Sequence, residues 1–292
     1  MPMITPYCSP EATLRDHLLR ARHRDGGWGY EPGCVPRLEP TCWALLALQK
    51  SRSTADRVLA HWPSVDGALV EQPGGLVNWS FHALALSTRI TLGDAFISEL
   101  KRLAGALVDA RGTAPHQPAV HADTAGLRGW SWIDGTFSRI EPMAWALLAL
   151  KQCRARGVIA ASIDRQIRKA EAILEQRMCP RGGWNDALPT KPGSNLPGYV
   201  PTTAIALLAL QDRHDKLFVR LSRNRLEQQA ESHPSIRALA LSMLALKRHR
   251  GSTHRIEDQL RRYIERDQIS DAASIGMALC ALNGSAADAF AF

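Results

Sequence analysis

Six short segments of this chain are apolar on nearly every side, and their repetition constrains the fold more than any other feature. Three are close copies, 39–48, 141–150 and 201–210, each closing in Ala-Leu-Leu-Ala-Leu. Weaker copies end at Leu86, Leu246 and Leu282, so successive ends stand 38, 64, 60, 36 and 36 residues apart. A helix without a polar face must be buried all round. The stretches ahead of the copies, 11–23, 53–61, 93–110, 161–178, 215–230 and 253–267, instead carry charges on one face. Placing each amphipathic helix outside an apolar one satisfies both, and closing six such pairs on themselves leaves no bare end. The expectation is an all-α (α/α)6 toroid, two concentric rings of six helices. It forms one domain over 1–292, with short irregular tails at 1–8 and 285–292.

A chain of 292 residues can bury such a core without disulfides. Its six cysteines are scattered without a Cys-x-x-Cys pair, and no Asp-x-Cys or His-x-x-x-His spacing occurs, so neither a metal nor another cofactor is expected. Lys and Arg number 36 against 28 Asp and Glu, a balance of +8. The arginines lie between the apolar segments, as on the solvated faces of outer helices, and not along one stripe; no nucleic-acid partner is expected. A positive balance is compatible with contact at an anionic membrane surface. No run reaches the roughly 18 apolar residues of a membrane span, and the first residues lack a secretory apolar core, so a cytoplasmic protein is expected.

Gly- and Pro-rich loops lead into the apolar segments, among them Asp25-Gly26-Gly27-Trp28, Gly129-Trp130-Ser131-Trp132 and Gly182-Gly183-Trp184. Loops gathered at one end of a scaffold are where function collects. Pro40 and Pro142 suit the first helical turn, where a missing N–H costs nothing. Glu39 and Glu141 then stand at or beside the helix cap, facing the positive end of the helix dipole.

Gly-Gly-Trp loops followed by Glu-Pro-Thr-x-Trp-Ala-Leu-Leu-Ala-Leu resemble the repeats of the terpenoid cyclase and protein prenyltransferase superfamily. Gln176 through Trp184 is similar to that group's Gln–Trp repeat, and Asp25 through Trp28 is similar to a copy without the glutamine. The resemblance implies the toroid, a stabilising role for the repeat, and an apolar isoprenoid-type ligand; a protein partner is implied by the prenyltransferase subunits. The chain departs from the group in its chemistry. It has no Asp-x-Asp-Asp acid as in squalene–hopene cyclases, no Asp-x-Cys of the prenyltransferase zinc site, and only Asp212 and Asp215 where ionising synthases carry an aspartate cluster.

The candidate site residues follow from repeat position. Glu39 and Glu141 occupy one column two units apart and are the first choice for an acid or base; a capping role is the alternative. A helix N-terminus favours their ionised form and opposes use as a strong acid. His82, one turn into an apolar segment, is a further acid–base candidate, with a bonded core histidine as the alternative. Asp123 lies in the long loop after the third amphipathic segment, where it is either a catalyst or a turn residue. Aligned on the Ala-Leu endings, Trp43, Phe81, Trp145, Ile205, Leu241 and Met277 form a column that either lines an apolar cavity or packs between the rings. Trp43, Phe81 and Trp145, with the loop tryptophans Trp28, Trp130 and Trp184, are the candidate ligand-binding aromatics; aromatic faces also stabilise carbocations. Three functions fit. The favoured one is an isoprenoid-handling enzyme, such as a terpene cyclase without the Asp-x-Asp-Asp acid. The others are a non-catalytic toroid holding an isoprenoid or a protein, and a glycan-active enzyme using two carboxylates across a cleft.

Overall fold

A computed structural model describes residues 9–24, 26–49, 58–60, 62–93, 96–110, 129–186, 196–266, 269, 271–283 and 286–292. Asp123 lies outside them. The chain is all-α. Among the described residues the helices are α1 (Pro10–Arg20), α2 (Leu38–Leu48), α3 (Trp79–Leu92), α4 (Ile97–Asp109), α5 (Ile140–Ala155), α6 (Ala161–Gln176), α7 (Val200–Ala209), α8 (Leu217–Ala230), α9 (Ile236–Arg248), α10 (His254–Glu265) and α11 (Ala272–Leu282). Residues 58–60 are also helical. A two-residue hairpin, β1 (Ser64–Val65) with β2 (Ala68–Leu69), turns through Asp66 and Gly67, both at positive φ as a tight hairpin turn requires.

The apolar segments became the buried helices. Every residue of α2 is buried, and α5, α7, α9 and α11 are nearly so. They pack in chain order: α2 on α3, α3 on α5, α5 on α7, α7 on α9, α9 on α11, and α11 back on α2. The amphipathic helices cover them, α4 over α3 and α5, α6 over α5, α8 over α7 and α9, α10 over α9, and α1 over α11 and α2. Small residues set the approach. A Cβ added at Gly276 of α11 would lie 2.8 Å from the Trp43 backbone and Cβ on α2, so only glycine allows that crossing.

Side chains close the helix starts. Asn78, Ser235 and Asp271 accept N–H groups in the first turns of α3, α9 and α11. Two starts are capped from a distance. The Glu71 carboxylate accepts the Leu38 N–H of α2 at 2.9 Å, and Asp186 accepts the Ile140 N–H of α5 at 3.1 Å. The stretch expected as an irregular tail holds a 3-10 turn, Ala286–Phe290, with Phe290 fully buried. Its ring lies edge-on to Trp43 at 5.5 Å and tilted against Trp145 at 5.7 Å, which gives those buried indoles an apolar partner.

Candidate functional site

The repeated glycine–tryptophan loops form joints. The indole N–H groups of Trp28, Trp130 and Trp184 donate to the carbonyls of Leu18, Leu107 and Leu174, each near the end of the preceding amphipathic helix, at 2.7, 2.8 and 2.7 Å. The carbonyls of the same three tryptophans accept the N–H groups of Arg37, Arg139 and Tyr199, the residues just before α2, α5 and α7. Thr41 and Thr203, at one repeat position, receive the Trp28 and Trp184 N–H groups on their hydroxyls. A Cβ at Gly183 would come within 2.7 Å of the Thr203 hydroxyl, so the glycine before the tryptophan is needed for closeness. The three tryptophans are almost fully buried and line none of the pocket described next. They satisfy helix-end carbonyls, which is a structural placement and not a ligand-binding one.

The starts of α2, α5 and α7, set by these joints, meet those of α3 and α9 at one end, where a pocket of about 940 Å³ opens. Glu39, Phe81, Glu141, Thr202 and Arg237 reach it from those five helices, and Trp132, Tyr199 and His233 from the flanking loops. Because Glu71 and Asp186 take the capping positions, Glu39 and Glu141 are left to face the pocket. Capping is therefore not their role. Arg237 binds Glu39 through Nη2, and the same nitrogen lies 4.0 Å from Glu141 Oε1. The Tyr30 hydroxyl donates to the other Glu39 oxygen at 2.6 Å. Burial, then the Glu39 charge, pushes the phenol pKa up, so Tyr30 remains a donor.

Glu141 behaves against the expectation from its helix position. Burial raises its pKa to about 7, against the opposing pull of Arg237, and the charges of Asp186 and Glu39 push the same way as burial. The helix N-terminus favours the carboxylate, but loss of water outweighs it where another carboxylate already occupies the cap. The result is a pocket-facing carboxyl that can hold or release a proton near neutrality beside the Glu39–Arg237 ion pair.

No protein-family model and no curated protein matches this chain.

The remaining candidates fall elsewhere. His82 is fully buried between α3, β2 and α4: its Nδ1 accepts the Leu69 N–H at 3.1 Å and its Nε2 stands 3.0 Å from the Leu103 carbonyl. That pairing fixes a neutral ring with the proton on Nε2, and burial holds its pKa down at about 4. The histidine is a bridge in the scaffold and takes no part in the pocket. Trp43 and Trp145 lie one helical turn below Glu39 and Glu141, stacked edge-on at 6.0 Å and closed off by Phe290. Of the aromatic column only Phe81 lines the pocket. Arg237, Tyr30 and Trp132 were not anticipated. Arg237 had a signal: counting four back from Leu241 puts it in the column of Glu39 and Glu141. Among the described residues no three His, Cys, Asp or Glu side chains gather as a metal site, and no helix is long and apolar enough to cross a membrane.

Proposed function

We propose that the chain is an (α/α)6 toroid of the terpenoid cyclase and prenyltransferase-like class, which takes an isoprenoid-type apolar chain in the pocket and moves a proton on it through Glu141. The order of helix packing, returning from α11 to α2, supports the ring. One observation carries the chemistry: a carboxyl with a pKa of about 7 faces a pocket whose wall includes Phe81, Trp132, Pro201 and Pro234. A group of that strength suits general acid–base transfer at neutral pH. It is too weak to start a cyclisation by protonating an isolated alkene. Glu141 therefore takes a proton from a C–H made acidic by a conjugated carbonyl, as in an isoprenoid enal, and returns one from solvent to the resulting dienolate, with Glu39, Arg237 and Tyr30 fixing the polar floor.

Deuterium exchange tests this. The protein is incubated in heavy water with an isoprenoid enal and, separately, with squalene as a ligand without an activated C–H, and recovered lipid is weighed by mass spectrometry. The expected result is bound enal carrying solvent deuterium with the wild type, bound enal without it for Glu141→Gln, and squalene bound without deuterium by both. Exchange that persists in the variant removes Glu141 from the chemistry. Binding of the enal without exchange in either protein favours the non-catalytic holder.

A second reading, a glycan-active enzyme, is favoured by the open pocket and the half-exposed Tyr199 beside two carboxylates that share Arg237. Release of reducing ends from oligosaccharides, lost in Glu39→Gln and Glu141→Gln alike, would support it over the first.

A further inference from the structure

The far ends of the buried helices, opposite the pocket, grip residues 288–292 in an unusual way. Gln152, near the end of α5, donates from Nε2 to the Ala289 carbonyl at 3.1 Å and to the Ala291 carbonyl at 3.4 Å. Gln211, in the turn after α7, donates to the Phe290 carbonyl at 2.8 Å. The Thr91 hydroxyl of α3 donates to Ala289 as well. Three side chains from three segments thus read three consecutive main-chain carbonyls. Arg248, at the end of α9, meets Asp288 at 2.7 Å, and Lys151 sits 5.4 Å from the centre of the Phe292 ring. Phe290 goes deepest, between Trp43 and Trp145, with Ala289 buried beside it.

Main-chain carbonyls are common to every peptide, so donors aimed at them recognise a backbone, and a single aromatic pocket adds the choice of side chain. The fit to the present occupant is incomplete. Among the described residues, the Gln152 Oε1 is buried without a hydrogen-bond partner, and so is the Trp43 indole nitrogen against which Phe290 packs. Unmet buried polar groups of this kind weaken the occupant's hold. Asp288 is largely exposed beyond its ion pair, which gives the segment an edge from which it can be peeled away.

We propose that Thr91, Gln152, Gln211 and Arg248 form a peptide-binding socket, filled here by the chain's own residues 288–292, that accepts from a partner protein a peptide of the pattern acidic-x-aromatic-x-aromatic. The chain's own segment is the competing ligand. Tethered in the same molecule, it acts at an effective concentration of about millimolar and masks the socket until it is displaced. The inference is independent of the chemistry assigned to the pocket.

The test uses the full chain and a fluorescent synthetic peptide of residues 286–292. Replacing Phe290 by Ala weakens the chain's own segment by about a hundredfold or more, leaving the socket open. The expected result is binding of the peptide to the Phe290→Ala protein at least about tenfold tighter than to the wild type. The same peptide carrying Phe290→Ala should not bind. Equal binding of the two peptides, or no binding to the variant, overturns the proposal. A second measurement needs no variant. Hydrogen exchange of residues 288–292 in the wild type should proceed through an opening well below that of α5, and become slower with Gln211 intact than in Gln211→Ala. Protection as strong as that of α5 shows a fixed core element and also overturns it.

Discussion

Glu141→Gln should make the protein more stable at pH 8 and leave it nearly unchanged at pH 4.5. The carboxyl moves from an ordinary 4.5 to about 7 on folding, chiefly through burial. Between those values the folded protein holds a proton that the unfolded chain has released, so stability falls as the pH rises through the interval and is level above it. At about 1.4 kcal/mol per tenfold change in proton affinity, the full loss is roughly 3 kcal/mol. The side chain is less than one-fifth exposed, so solvent screening removes little of this. Gln keeps the shape and cannot ionise. Urea unfolding of both proteins at several pH values from 4.5 to 9 gives the difference directly, and subtraction cancels the other titrating groups. The difference should grow from near zero to about 2–4 kcal/mol in favour of the variant and then stop growing near pH 8. A difference independent of pH, or one favouring the wild type at pH 8, would refute the reading that burial governs this carboxyl.

Other expectations bear on the scaffold. Replacing His82 by Leu leaves the Leu69 N–H unmet and removes the extra bond to the Leu103 carbonyl, at a cost of about 1–3 kcal/mol in chemical denaturation. Because the folded ring resists protonation down to about pH 4, wild-type stability should fall as the pH drops from 6.5 toward 4, and this component should be missing in the variant. Trp184→Phe removes the bond to Leu174 and should cost about 1–3 kcal/mol without changing ligand binding, with Trp28→Phe and Trp130→Phe behaving alike; an altered ligand affinity in any of the three would return them to the site.

The helical scaffold was legible because burial writes itself into sequence. Helices hidden on all sides carry almost no charge, none in α7 and only Glu39 in α2, and their covering partners must carry it on one face. Glu39 and Glu141 were legible as a pair because a repeat places equivalent residues at equivalent heights. Their roles were not, because the caps arrive from far along the chain, Glu71 for α2 and Asp186 for α5, and nothing local records them. Arg237 was hidden by the weakness of its copy, which matches the others only from Leu241 onward. His82 and the loop tryptophans have residue types that suit a site, yet each is held by backbone groups of another element, a fact visible only after folding. Residues 286–292 are too few to show any periodicity, so the burial of Phe290 could not be read in advance.

Under the proposed function, the pocket at the starts of α2, α3, α5, α7 and α9 receives an apolar chain above the Glu39–Arg237–Glu141 floor. Photo-crosslinking with a diazirine-bearing prenyl alcohol, followed by peptide mass spectrometry, locates that chain most directly. Adducts are expected on the peptides holding Phe81, Trp132 and Tyr199, and excess unlabelled prenyl alcohol should suppress them. Labelling spread over the outer helices, or concentrated between α4 and α6 and insensitive to competitor, would contradict the account.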